Sequence, residues 1–369
     1  LGGPFSLKAH VGACLLCLAS VASSAEDPGA LATALGRRFV AGPGHVGLSI
    51  GIIRHGGRRS YHFGSAVRGQ PGVPTGRTIY ELASLTKSYT GMLLARAVVD
   101  GKLALDDDVR RYLPASAAGL AFGGEPVRIR DLASHTSGLP KNLPAFADGA
   151  TPAALVAQYG GMPRQALLDA LAGVHLEAPP GTRYRYSNAG AQLAGLVLER
   201  VYGASYDALV QRFITQPLHM PDTGSAPPDV ARYAGRYNAK GDAMPALAFW
   251  EHLPAAGYLK STIDDQLAYL AWNLDERDPV VALAHSPTFR HTDERGDAIG
   301  LFWFLNRTGA GQRIVRHAGG SFGTTSFALL LPDAQVAVIL LANDAGPATE
   351  QALAAMADRL AAALQSSSP

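Results

Sequence analysis

The sequence predicts a mixed α/β (α+β) fold: one antiparallel sheet built from both chain ends and flanked by helices, with an all-helical domain inserted between its halves. Two observations carry this. Strand patterns fall near residues 46–64 and again over 299–341, while the stretch from about 140 to 250 shows helical patterning broken by Pro and Gly, with no convincing strand pairs. Strands at both ends with helices between imply a sheet whose halves meet only in three dimensions. With 369 residues, 47% of them hydrophobic, the chain can bury one large core or two interlocked ones.

In chain order, a helix is expected over 31–39, then a strand over 46–53 and another over 60–64, joined at His55-Gly56-Gly57 as a hairpin. A helix follows Ser84 and stops at Asp100-Gly101. A short helix is expected over 105–113 after an acidic start, and another begins over 129–132. Helices are read over 163–171, 189–202 and 263–274, the last capped by Ser261-Thr262. Strands are expected over 299–305, 312–317, 324–331 and 336–341, and an Ala-rich helix over 348–364 closes the chain. The division that follows is 26–105 with 255–365 as the sheet domain and 106–254 as the helical one. No internal repeat or obvious linker interrupts it.

Residues 1–25 read differently. Lys8 and His10 precede the apolar run Val11 to Ala19, then small residues lead to Ala22 and Ala25 before Glu26-Asp27. That pattern is a secretory signal peptide, and it places the mature protein in the periplasm or outside the cell. The apolar run is too short to span a bilayer. Both cysteines, Cys14 and Cys17, lie in it, so the mature chain is expected to hold no disulfide, thiolate nucleophile or Cys-based metal site. A net charge of +2 with scattered Lys and Arg gives no footprint for nucleic acid. The eleven His form no His-x-x-x-His pair with a Glu, and no P-loop or Rossmann glycine spacing occurs, so no cofactor is expected.

The chemistry is read from Tyr80-Glu81-Leu82-Ala83-Ser84-Leu85-Thr86-Lys87. Ser84 falls at a helix start and Lys87 one turn on, facing the same way. A serine attacks only when a neighbouring base takes its proton, and a helix N-terminus offers N–H groups and positive potential where the oxyanion would form. Taken alone, Ser-x-x-Lys is also an ordinary cap followed by a solvated lysine. A second stretch, Tyr184-Arg185-Tyr186-Ser187-Asn188, precedes a helix: Tyr186 beside a Lys⁺ could have its pKa lowered and carry protons, and Asn188 could bond a substrate amide or orient the lysine. The bland alternative is a packed Tyr with a capping Asn. In the third, Arg316-His317-Ala318-Gly319-Gly320, a strand is expected to end at His317, with glycines that let a substrate backbone lie alongside. The N–H groups of Ser84 and of the residue after Gly319 could then form an oxyanion hole.

Ser84-Leu85-Thr86-Lys87, Tyr186-Ser187-Asn188 and His317-Ala318-Gly319, in that order, resemble the three motifs of the serine β-lactamase and penicillin-binding DD-peptidase superfamily, in particular its class C-like branch. Leu132 to Pro140, Ala255 to Thr262 and Pro217-Leu218-His219-Met220 are similar to connecting segments of that branch, and the likeness runs from about residue 30 to 364. The resemblance implies a β-lactamase/transpeptidase-like fold with its site between the two domains. It implies Ser84 as acylated nucleophile, Lys87 as base or proton relay, and Tyr186 as donor to the leaving group and activator of water. It also implies Ser84 and Gly320 N–H groups as the oxyanion hole, with Asn188, His317, Gly319 and Asn142 at the substrate. The β-lactamases proper usually carry Lys-Thr-Gly where this chain has His317-Ala318-Gly319. A His is partly charged near neutrality, so its grip on a substrate carboxylate is expected to weaken as pH rises.

Two Gly-x-Ser-x-Gly runs, around Ser49 and Ser321, could suggest a different hydrolase. Ser49 lies within a strand expected to lead into a second strand, and no His follows Ser321, so neither fits a nucleophile elbow. The expected activity is a serine hydrolase acting through an acyl-enzyme on D-alanyl peptides, including cell-wall peptides, or on β-lactams. The alternatives are a carboxylesterase or D-aminopeptidase using the same site and, from another class, a catalytically silent penicillin-binding sensor.

Overall fold

The computed structural model describes residues 27–226, 229–247, 251–291 and 297–366; the leader read over 1–25 lies outside them. Eight strands form one sheet: β1 (Gly47–Arg54), β2 (Gly57–Gly64), β3 (Phe289–Arg290), β4 (Ala298–Ile299), β5 (Phe304–Arg307), β6 (Arg313–Gly320), β7 (Thr325–Leu331) and β8 (Val336–Ala342). Their order is β2-β1-β8-β7-β6-β5-β4-β3, with every neighbouring pair antiparallel. The two chain ends meet at β1 and β8, where Leu48 faces Ala342 and Arg54 faces Val336.

Both faces of the sheet are covered, which is why β8 reads as an unbroken apolar run. Val336, Val338, Leu340 and Ala342 pack with α1 (Pro28–Val40) and α10 (Pro347–Ser366). The alternate residues Ala337, Ile339 and Leu341 join the larger core on the opposite face. That core holds α2 (Thr86–Val99) and α8 (Ile263–Asn273) and runs without a break into α3 (Ile129–Ala133), α5 (Arg164–Leu171) and α6 (Asn188–Tyr202). Two more helices are α4 (Pro152–Tyr159) and α7 (Tyr206–Val210), and α9 (Pro279–Ala284) packs on α2. No helix of the described residues is long and apolar enough to cross a membrane.

Three local expectations are corrected. The helix expected over 105–113 shrinks to one 3-10 turn, Val109–Arg111. Asp107 and Asp108 side chains take the N–H groups of Ala104 and Arg110, and the backbone of 105–109 pairs with 127–130 instead. The strand expected over 299–305 divides into β4 and β5, because Phe302 adopts φ +64° and turns the chain between them. The strand expected to end at His317 continues through Gly320, and the hairpin turn comes only at 321–324.

The second and third corrections matter for function. β5 pairs with β6 only from Arg313 to Arg316. Past that point no strand of the described residues lies beside the outer edge of β6, from His317 to Gly320.

Candidate active site

Tyr80-Glu81 pairs with Lys260-Ser261, and the chain then turns sharply into a 3-10 segment, Ala83–Leu85, that runs directly into α2. Ala83 sits at φ +47°, a left-handed conformation that costs an ordinary residue about 1 kcal/mol or more. Ser84 therefore stands in a constrained turn just ahead of the helix rather than inside it. It is half-buried, while Lys87, the second residue of α2, is fully buried.

Five side chains are linked there. Tyr186 OH donates to Ser84 Oγ at 2.7 Å, and Lys87 Nζ lies 3.1 Å from the same oxygen. Lys87 Nζ also donates to Asn188 Oδ1 at 2.8 Å and to the Ala256 carbonyl at 2.5 Å. Asn188 Nδ2 in turn donates to Asn142 Oδ1 at 2.7 Å. Tyr186, Ser84, Lys87, Asn188 and Asn142 thus form one continuous hydrogen-bonded chain drawn from three separate parts of the sequence.

The electrostatics assign the protons. Among the described residues no carboxylate pairs with Lys87; burial first, then the Lys141 charge, holds its amine well below the usual lysine range. A neutral amine has two N–H bonds and one lone pair. In the neutral form that this shift favours, the two hydrogens go to Asn188 Oδ1 and Ala256 O and leave the lone pair for Ser84 Oγ. Tyr186 behaves oppositely to expectation. Burial pushes its phenol above the usual tyrosine range, outweighing the Ser84 hydrogen bond, so it stays protonated as a donor.

The opposite wall is β6. A Cβ on Gly319 would lie 2.2 Å from the Leu82 carbonyl oxygen and 2.8 Å from the Leu85 nitrogen, so only glycine lets the strand pass this close to the Ser84 turn. Ser326 Oγ and Thr324 Oγ1 tie β7 to the same turn by donating to the Leu82 and Glu81 carbonyls. Gly320 stands opposite Thr325 in the ladder, one step from the hydrogen-bonded Ser321/Thr324 closure. The alternation of antiparallel pairs then turns the Gly320 N–H away from β7 to the open edge.

His317 differs from expectation. It is buried, its Nδ1 lies 2.7 Å from the Ala318 carbonyl oxygen, and burial lowers its pKa to about 3. The ring is neutral throughout the working range, so the expected partial charge near neutrality, and the loss of carboxylate grip on raising pH, are corrected.

Asn142 and Asn188 are fixed by the 135–142 segment. The Asn188 N–H donates to the Lys141 carbonyl at 2.7 Å, and Ser187, the N-cap of α6, donates its hydroxyl to the Pro140 carbonyl at 2.7 Å. The Ala256 carbonyl had no signal in the sequence, since any residue supplies a carbonyl. The serines of the two Gly-x-Ser-x-Gly runs are structural: Ser49 is buried between His62 and Tyr80, and Ser321 bonds within its own turn.

A profile of the family described as Beta-lactamase matches residues 33–363. The chain belongs to the β-lactamase family. It is 27% identical over 319 residues to Protein flp of Staphylococcus aureus (strain N315), covering 81% of this chain and 60% of that protein. The chain thus spans only about 60% of the length of those staphylococcal relatives. It is 25% identical over 322 residues to the D-alanyl-D-alanine-carboxypeptidase/endopeptidase AmpH of Escherichia coli (strain K12), covering 81% of this chain and 80% of that one. A β-lactamase/D-alanine carboxypeptidase from Yersinia pestis, solved with citrate, superposes with a TM-score of 0.78 at 21% identity, covering 91% of this chain and 98% of the other. Its counterpart from Pseudomonas syringae gives 0.76 at 21% identity, over 93% and 99%. Those two likenesses show the fold: the mixed architecture with a large antiparallel sheet flanked by helices is that of this family of serine hydrolases.

Proposed function

We propose that the protein hydrolyses acyl substrates through a covalent intermediate on Ser84. The observation that carries this is the double approach to one oxygen: Tyr186 OH at 2.7 Å and Lys87 Nζ, whose pKa burial pushes down, at 3.1 Å. Lys87 takes the Ser84 proton as Oγ bonds to the acyl carbon. The oxyanion turns to the N–H groups of Ser84 and Gly320. Tyr186 gives its proton to the leaving group as that bond breaks, and Lys87 restores it. Water, activated through the same pair, then releases the acyl group from Ser84. Asn188 and Asn142 hold the lysine and the amide of the acyl side, and the His317–Gly319 edge accepts the substrate backbone as an added strand.

The substrates proposed are D-alanyl peptides and their β-lactam mimics, a reading supported by the likeness to AmpH, a D-alanyl-D-alanine-carboxypeptidase/endopeptidase, and to the Yersinia β-lactamase/D-alanine carboxypeptidase. A carboxylesterase is the second reading, favoured by the neutrality of His317, which leaves that strand position without a cation for a substrate carboxylate. We also propose export, on the strength of the leader read in residues 1–25; N-terminal sequencing of protein recovered outside the cytoplasm tests it.

The test of function is the intact mass of the protein with excess benzylpenicillin, wild type beside Ser84→Ala, with the drug assayed in the same tube. A lasting adduct of one drug mass on the wild type alone indicates a penicillin-binding DD-peptidase, and consumption of the drug without an adduct a β-lactamase. An untouched drug with Ser84-dependent ester hydrolysis indicates the esterase. Full activity in Ser84→Ala overturns the proposal.

A further inference from the structure

The tripeptide that carries Tyr186 is gripped by a residue outside the set discussed so far. His135 follows α3 at φ +59°, a left-handed conformation uncommon outside glycine. From there its backbone and its ring both reach the same stretch of chain. The His135 carbonyl accepts the Arg185 N–H at 2.7 Å, and its Nδ1 accepts the Ser187 N–H at 3.2 Å. Between these two bonds the Tyr186 ring lies against the imidazole, centroids 4.4 Å apart and planes tilted by 36°. Phe302 backs the imidazole at 5.3 Å and is itself fixed by its N–H to the Ala133 carbonyl at 2.8 Å. His135 is fully buried.

We propose that His135 is the positioning residue of this site, setting the Tyr186 phenol on Ser84 Oγ by holding residues 185, 186 and 187 from both its backbone and its ring. The proposal rests on the reading of Tyr186 as proton donor given above. Because Nδ1 accepts the Ser187 N–H, the proton of the neutral ring sits on Nε2. Burial holds the ring well below the usual histidine range, which favours the neutral form. Its role is therefore mechanical. The phenol oxygen stands at the end of a rigid side chain, so a small shift of the backbone at 185–187 becomes a larger one at the oxygen. A misplacement of about 1 Å at a catalytic group costs on the order of 100-fold in rate.

The alternative is a core histidine that only stabilises the fold, and leaving-group dependence separates the two. Phenyl acetate expels a poor leaving group that needs a proton; 4-nitrophenyl acetate expels one that leaves as the anion. His135→Phe keeps a ring against Tyr186 but removes the acceptor for Ser187. His135→Asn keeps an acceptor near Nδ1 and tolerates the left-handed backbone, but removes the ring face.

In His135→Phe, kcat/KM is expected to fall about 100-fold on phenyl acetate and far less on 4-nitrophenyl acetate. His135→Asn is expected to recover part of that loss. In a Tyr186→Phe background, His135→Phe is expected to cost nothing further, since the group it positions is already gone. Equal losses on both esters, or an additive loss in the double variant, would show a structural role and overturn the proposal. If His135→Phe does not fold, His135→Asn carries the same two comparisons. A damaged Tyr186→Phe beside unaffected His135 variants defeats the proposal alone. An unaffected Tyr186→Phe, or no Ser84-dependent hydrolysis of either ester, defeats the reading of the site and this proposal with it.

Discussion

At Ser84 Oγ two groups converge, and what they do depends on which carries the mobile proton. Lys87 is pushed down from the ordinary lysine value by burial and by Lys141, while Tyr186 is pushed up from the ordinary tyrosine value. A base works only when deprotonated and a donor only when protonated. Activity should therefore rise as pH climbs through the lowered Lys87 pKa, hold across a broad plateau, and fall only where Tyr186 ionises. A pH profile of kcat/KM checks this: an acid limb in the ordinary lysine range near pH 10 would contradict a neutral Lys87. His317, its pKa lowered to about 3 by burial, should add no limb near neutrality. Its replacement by Gln should leave the shape of the profile unchanged, whatever it does to the height. Tyr186→Phe removes the proton donor and is expected to slow turnover by about 100-fold or more, with an acyl-enzyme that outlives the wild-type one in the mass spectrum.

Among the elements, α2 is the one with least freedom. Ten consecutive residues, Thr86 to Ala95, are buried, so the helix that carries Lys87 has no solvent face over that length. Gly91 lies in the middle of it, and a Cβ there would stand 1.9 Å from the Leu301 carbonyl oxygen. A helix-interior glycine is normally a weakness; here it lets α2 touch the bend that separates β4 from β5. Gly91→Ala should destabilise the protein by about 3 kcal/mol, as an overpacked core does, despite the better helix propensity of Ala. Thermal unfolding followed by circular dichroism checks it, and an unchanged or raised melting temperature would refute the close contact. The bend has a second consequence. Phe302 turns the chain before β5 can extend, so β6 keeps an open edge from His317 to Gly320. An enzyme that adds its substrate as a strand needs such an edge, and a full-length β5 would have filled it.

The whole molecule is held by a core that ignores the order of the chain. Val109, Leu132, Leu167 and Leu198, from the central stretch, belong to the same apolar cluster as Leu93, Leu267 and Trp303. The helices of residues 106–254 therefore lean on α2 and α8 for much of their burial. Expressed alone, that stretch is expected not to fold, and a fragment with native-like dispersion in its amide proton spectrum would show otherwise. The hydrogen-bonded chain from Tyr186 to Asn142 has the same dependence, since its members come from residues 84–87, 142 and 186–188.

The sequence by itself determined most of the elements and the identity of the chemistry-bearing side chains. Local periodicity sets α1, β1, β7, β8 and α10, and Ser84, Lys87, Tyr186 and Asn188 stand in motifs whose spacing is legible residue by residue. Tertiary structure decided what depends on surroundings. The Asp106–Asp108 run looked like a helix start, but the Asp107 and Asp108 carboxylates accept the N–H groups of Ala104 and Arg110, and the backbone of 105–109 pairs with 127–130. The bend at Phe302 and the grip of His135 on residues 185–187 rest on contacts between distant segments, for which no spacing exists. The charges of Lys87, Tyr186 and His317 were likewise undetermined. A pKa is set by desolvation and neighbours, and the sequence contains neither until the chain has folded.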